Sequence, residues 1–393
     1  MPMEKSLVKK RGLAAIFVLC PAAHVITLFG AGFLALFFTL RHDKTVMQAV
    51  SLHFVQPLHH ILAGLTSKLP FSLGEWLYAA AICGTLVYIG FELVQLIRRP
   101  ERGVRLYRLF IRLSALVLGV YALFCLLWGV YYYGDDFITR SGLASEAISA
   151  EDLELVTVYF ADLLNEYSLQ VPRDETGLCR TDRTAVLSRS PLLFRAAVQK
   201  FPCLDGPEVA AKAMFFSRIM SIIDFTGFFC PFTAEANVNT DFPVALFAST
   251  VAHELSHQRG VAKEQEANFV AVLASLECGD LDYCYSACLL AYIHLGNALA
   301  GVDPDALSLI AAGLADGVKA DLRESRRYWA QYETPVQAVT NMVYEGFLQS
   351  YGQSLGMRSY GACVDLLVNY YQDAAGAHYD LIHGSGEAQR ARG

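Results

Sequence analysis

The chain has 393 residues, of which 54% are hydrophobic and only 18% charged, whereas an ordinary soluble domain carries about 25% charged residues. The shortage of charge points to membrane segments, and the length accommodates a membrane part together with one large domain. A net charge of −7, with no nucleic-acid motif, excludes nucleic-acid binding as the basis of function.

Three apolar runs come first, at about residues 12–40, 73–97 and 109–130. Each can cross a hydrocarbon core, which needs about 20 residues of helix. Core helices of a soluble protein can be equally apolar, but three such runs with short polar gaps before residue 134 read as membrane spans. The first is too long for a signal-peptide core and lacks a small-x-small cleavage site, so it reads as a retained anchor. Lys5, Lys9, Lys10 and Arg11 precede the first run, and Arg98, Arg99, Arg102, Arg105 and Arg108 separate the second from the third. The loop between the first two holds only Arg41, Lys44 and Lys68. By the positive-inside rule the N-terminus is cytoplasmic and everything after Tyr133 is extracytoplasmic. The stretch Trp128 to Gly134, WGVYYYG, reads as an aromatic belt closing the third span.

The expected organisation is therefore a membrane domain over 1–133, a predominantly helical extracytoplasmic domain over 134–383, and a disordered tail over 384–393. Ser149 caps a helix with acids in its first turn and an apolar period of 3.6. Residues 206–224 read as a second helix with Pro207 near its start. Asp241 and Pro243 open a further helix that Gly260 ends, and helices follow at about 263–278, 281–300, 304–318, 319–332, 335–354 and 360–374. Phe225 to Asn239 breaks the pattern: its aromatics and β-formers predict a strand or short hairpin, and Pro231 suits an edge. Cys284 and Cys288 share one apolar helical face and read as buried thiols, while Cys179 and Cys203 are a candidate disulfide.

Chemistry concentrates in VAHELSHQRGVAKEQEANFVA, Val251 to Ala271. His253 and His257 stand four apart on a helix, so both imidazoles can reach one ion, and Glu254 lies beside them to take a proton from water. Zinc is the cofactor this HExxH pattern implies, one ion that brings the pKa of water towards 7. Gly260 then stops the helix so that the chain can turn back. The spacing to that glycine is metzincin-like, but the next ligand would fall at Lys263, which cannot serve while protonated. Glu264, Ala267 and Asn268 resemble instead the gluzincin pattern E-x-x-A-D/N, in which the glutamate is the third ligand and the residue four later supports the site. Glu264 and Glu266 point about 200° apart on a helix. Glu264 shares its face with Ala267, Asn268 and Ala271, whose small side chains permit close contact with the motif helix.

The three spans, GFFCPFTAEANVN, HELSHQRGVAKEQEANF and GMRSYGACVDLLVNYY together resemble a family of bacterial membrane proteins catalogued as domain of unknown function 3810. The resemblance implies a zincin-like peptidase fold and no particular substrate. The middle motif is also similar to regulatory peptidases that cleave repressors, whose cytoplasmic role does not carry over to a site read as extracytoplasmic. In zincins an edge strand pairs with an extended substrate. Gly227 to Asn239 is placed for that, with Glu235 and Asn237 as candidate cleft residues and Tyr351, Arg358 and Tyr360 as candidate oxyanion stabilisers.

The expectation is a membrane-anchored zinc metallopeptidase acting on a peptide or protein substrate, its other partner being the lipid bilayer. An intramembrane protease is disfavoured because Lys263, Glu264, Glu266 and Asn268 are too polar for hydrocarbon. A zinc-binding sensor or assembly factor that cleaves nothing has the same residues and stays open.

Overall fold

The structure, a computed structural model, describes residues 17–143, 146–351 and 360–390. These are mainly helical with one small sheet, and they form two units: residues up to Val55 with Leu73–Gly134, and Gln56–Ser72 with the chain from Asp135 onward.

The first unit holds α1 (Pro21–Leu40); α2 (Gln56–Thr66) follows in sequence but belongs to the second unit; then come α3 (Leu73–Arg98) and α4 (Arg102–Leu127). α1, α3 and α4 are each long and apolar enough to cross a membrane. α1 and α4 come close at Gly30, where a Cβ would lie 3.2 Å from the Leu118 carbonyl oxygen, an approach that small residues permit between helices in lipid. An ion pair of 3.3 Å from Arg105 to Glu92 ties α4 to α3. α4 starts earlier than the apolar run because Arg102, Arg105 and Arg108 are good helix formers and only the hydrocarbon-crossing part must be apolar. It ends where the aromatic stretch turns into a 3-10 helix, Gly129–Tyr132.

In the second unit, Ser149 caps α5 (Ala150–Ser168) by accepting from the Asp152 N–H. The motif helix α6 (Phe247–Gln258), α7 (Glu264–Cys278) and α8 (Leu281–Ala300) follow, then α9 (Asp316–Ala330), α10 (Pro335–Ser350) and α11 (Tyr360–Arg390). Phe160 and Leu164 of α5, Val251 and Leu255 of α6, and Phe269 and Leu273 of α7 share one buried core with α8 and α11.

Four expectations are corrected. First, residues 56–72 belong to the second unit, so the domain boundary is not a single cut at 133. Second, most of 206–224 is not helical. Lys212–Ala213 is strand β1, and only Ser217–Ile222 forms a short helix. β1 pairs in parallel with β3 (Glu235–Val238), which pairs antiparallel with β2 (Gly227–Cys230), giving the order β1-β3-β2. The apolar pattern of 206–224 suits helix or strand, and tertiary bonds of the Lys212 ammonium decide for strand. It donates to the Glu235 carboxylate at 2.5 Å, to the Thr66 carbonyl at 2.7 Å and to the Phe71 carbonyl at 2.9 Å. Pro231 lies in the β2–β3 turn, where its missing N–H costs nothing. Third, Cys179 and Cys203 are free thiols. Cys179 is held by Asp321 and Thr181, whereas Cys203 sits in the turn Pro202–Leu204, whose carbonyl accepts from Arg140. Fourth, α11 runs through 384–390, where a disordered tail was expected: Glu387, Ala388, Gln389 and Arg390 favour helix and prolong one already formed.

Candidate metal centre

α6 buries Phe247, Ala248, Val251, Ala252 and Leu255 in the core. That fixes the rotation of the helix and turns His253 and His257 towards α7, with their ring centroids 4.7 Å apart. The helix stops at Gly260, which adopts φ +76°, a left-handed conformation that costs glycine little. The chain then folds back, and the Val261 carbonyl reaches His257 Nδ1 at 2.7 Å. Asn268 Oδ1 lies 2.9 Å from His253 Nδ1. A carbonyl can only accept, so His257 carries its proton on Nδ1, and the Asn268 oxygen sets the same tautomer for His253. Nε2 of both rings then faces Glu264 Oε2, at 3.2 Å from His253 and 3.7 Å from His257, and is the atom that would bind an ion.

His253, His257 and Glu264 each offer one donor atom within 4.8 Å of the others. A tetrahedral ion with bonds of about 2.0–2.1 Å holds its ligands about 3.4 Å apart, so this nitrogen and oxygen set fits zinc. The electrostatics of the cluster also call for a cation. Burial would lower the pKa of His257, but the Glu264 carboxylate outweighs it and raises the imidazole to about 9. Burial would raise Glu264, and His257 and His253 hold it well below the usual carboxylate range instead.

Glu254 is buried beside the ligands, and burial raises its carboxyl to about 7. Its Oε2 accepts no hydrogen bond among the described residues. The backbone of β2 passes directly over this carboxyl: a Cβ on Gly227 would lie 2.6 Å from Glu254 Oε1 and 2.8 Å from the Asn237 carbonyl oxygen, so only glycine fits.

Glu266 does not join the cluster. It is buried on another face of α7, where its Oε2 accepts from the Phe137 N–H at 2.9 Å. Glu235 and Asn237, expected to line a cleft, are buried in the middle strand instead. Glu235 holds Lys212, and the Asn237 amide donates to the Phe228 and Glu235 carbonyls. Both side chains brace the sheet. Tyr351 is buried against Phe347, seven residues beyond the tyrosine that does reach the site. Arg358 and the Tyr360 side chain lie outside the described residues.

The tyrosine at the site is Tyr344 of α10, whose hydroxyl donates to Glu264 Oε1 at 2.7 Å and so orients the other oxygen towards the histidines. Nothing in its local sequence separates it from tyrosines that merely pack. His294 of α8 is a second residue the motif does not reveal. It is buried near His253, and burial, with a smaller effect of that neighbour, lowers it to about 4, so it stays neutral. A third is Arg259, fully buried at the end of α6, with its guanidinium 3.9 Å above the Phe194 ring. It donates to the Leu255 carbonyl at 3.2 Å and the Pro207 carbonyl at 3.3 Å, satisfying the helix C-terminus. Burial lowers it only to about 10, so it keeps its charge.

No curated protein matches this chain. No solved structure matches it. One family does match, from Ser51 through α2, the sheet, the motif helices and into α11. Over residues 51–368 the chain belongs to the family described as Protein of unknown function (DUF3810).

Proposed function

We propose that this chain is a membrane-anchored, zinc-dependent peptidase with a zincin-like catalytic unit on the extracytoplasmic side. The observation that carries the proposal is the convergence of His253, His257 and Glu264 beside a buried Glu254, one of whose carboxylate oxygens has no partner among the described residues. Zinc, when bound, would supply a Lewis acid that acidifies water and polarises a carbonyl. Glu254 then takes the proton of the attacking water and delivers it to the leaving amine. Asn268, Val261 and Tyr344 hold the three ligands in orientation. β2 is an edge strand of the sheet, and its first residue lies on Glu254, so an extended peptide laid along that edge passes the base. The extracytoplasmic placement rests on Arg98, Arg99, Arg102, Arg105 and Arg108, clustered where α3 ends and α4 begins.

Metal analysis and peptide-library cleavage with purified full-length protein test the proposal. Glu254→Gln should keep stoichiometric zinc and lose hydrolysis by about 10²-fold or more. Glu264→Ala should lose zinc while Glu266→Ala retains it. Zinc bound with no cleavage of any peptide would favour the non-hydrolytic sensor. Reporter fusions after Arg102 and Gly393 test the orientation, and an active extracytoplasmic reporter at Arg102 would reverse it.

A further inference from the structure

α2 is built the wrong way round for a helix in water. Its inward face carries His59, whose Nε2 bonds the Pro231 carbonyl at 3.1 Å, and Thr66, whose hydroxyl donates to the Thr233 carbonyl at 3.2 Å. Its outward face carries Ile61 and Leu65, 61% and 56% exposed, and Phe71 just beyond the helix is 45% exposed. A surface helix of a water-soluble domain shows the opposite distribution. The run 56–72 has no acidic residue and carries exposed Lys68 in the turn just after its helix. Lys212 binds the Thr66 and Phe71 carbonyls and so joins this segment to β1. Directly after β1, Phe215, Ile219 and Ile222 are 73%, 55% and 39% exposed, with exposed Arg218 among them. Ile219 and Ile222, three apart, lie on one face of the short helix Ser217–Ile222, and Phe215 stands in the turn just before it. Apolar side chains mixed with cations, and without acids, are the composition of an element lying in a headgroup region.

We infer that the outer faces of α2 and of residues 215–222 form a lipid-contact surface of the second unit, seated at the headgroup–acyl boundary without crossing the bilayer. Chain continuity selects lipid over another protein. Ser72, the last residue of the segment, is followed at once by Leu73, the first residue of a helix long and apolar enough to span a membrane. The hairpin that α2 supports through Pro231 and Thr233 includes β2, which lies over Glu254. A lipid-bound α2 would therefore anchor the strand beside the metal cluster to the membrane surface.

The test uses full-length protein in nanodiscs that contain a phosphatidylcholine with a diazirine in its upper acyl chain. After illumination, lipid adducts are mapped by mass spectrometry. Adducts on peptides covering 57–71 and 215–222, at yields comparable with α3, are expected. Adducts confined to α1, α3 and α4 would overturn the inference. So would disulfide cross-links between copies of Ile61→Cys or Leu65→Cys protein under an added oxidant, with no lipid adducts there, which would make this face a dimer contact. Neither outcome depends on zinc or hydrolysis, so the inference can fail while the peptidase reading stands.

Discussion

The two units use similarly apolar helices in opposite ways. In α1, α3 and α4 only 17%, 6% and 17% of the most apolar window is buried, so most of the apolar side chains face outward. In α6, α7 and α8 nearly every apolar side chain is buried and belongs to one core. Composition alone does not distinguish these cases, because the medium around the helix decides which face is stable. α2 shows the mixture: it belongs to the second unit but wears its apolar face outward, with polar side chains turned in. The second unit also buries polar and charged groups where the first shows mostly apolar surface. It follows from that contrast that the buried polar groups of the second unit should be costly to part from their named partners.

The largest expected effect is at Lys212, which neutralises buried Glu235 and ties α2 to the sheet. Lys212→Ala removes the cation that faces that buried carboxylate and should destabilise the second unit by about 3–5 kcal/mol. Pairing Lys212→Met with Glu235→Gln should restore most of the loss. Thermal unfolding of the full chain in detergent reads both variants; a Lys212→Ala protein as stable as wild type would mean that the pair is not an anchor.

His59 comes next. Burial lowers it from 6.5 to about 4 in the fold. Between those values the unfolded chain binds the extra proton, so stability is complete above about pH 6.5 and falls as the pH drops through 4. The loss reaches about 3 kcal/mol. His59→Gln keeps a donor for Pro231 and removes the titration, so its Tm advantage or deficit relative to wild type should shift in its favour on acidification. Parallel pH profiles would show that His59 is not neutral and buried.

Gly227→Ala should cost about 1–3 kcal/mol, because the new methyl meets the Glu254 carboxyl and a backbone oxygen that cannot withdraw. An unchanged Tm would mean that β2 does not lie on Glu254 as described. The smallest effect expected is at Tyr344. Tyr344→Phe removes the bond to Glu264 Oε1 and should weaken zinc binding by about 10–100-fold with no change in fold. Competition with a chromophoric chelator measures it, and wild-type affinity would show that Glu264 needs no support from α10.

The site was legible in sequence as far as local spacing carries it. His253, Glu254 and His257 lie on one helix, Gly260 ends it, and Glu264 and Asn268 share the face of the next helix that meets it. The hairpin at 227–238 was legible too, from its aromatics and turn. What failed was the reading of long-range partners. Lys212 looked like a helix residue because its role depends on Glu235 and on the carbonyls of residues 66 and 71, far away in sequence. Glu235 and Asn237 looked like cleft residues because a buried polar pair in a middle strand has the same local appearance as an exposed one. Tyr344 was passed over for Tyr351 because only the tertiary contacts of α10, in which Tyr344 meets Phe225 and Glu264, decide which tyrosine faces the site.

The sequence by itself determined the periodic features: three membrane-length helices, the two-histidine spacing, the glycine stop and the face that Glu264 shares with Asn268. These depend on the helix repeat and on hydropathy, which act over a few residues. The tertiary structure alone decided that residues 56–72 join the second unit, that Glu254 lies under Gly227, and that Glu266 turns away to hold Phe137. Those arrangements follow from satisfying buried polar groups between segments distant in the chain. That requirement leaves no periodic trace in sequence, because each group's partner is fixed only when the chain closes on itself.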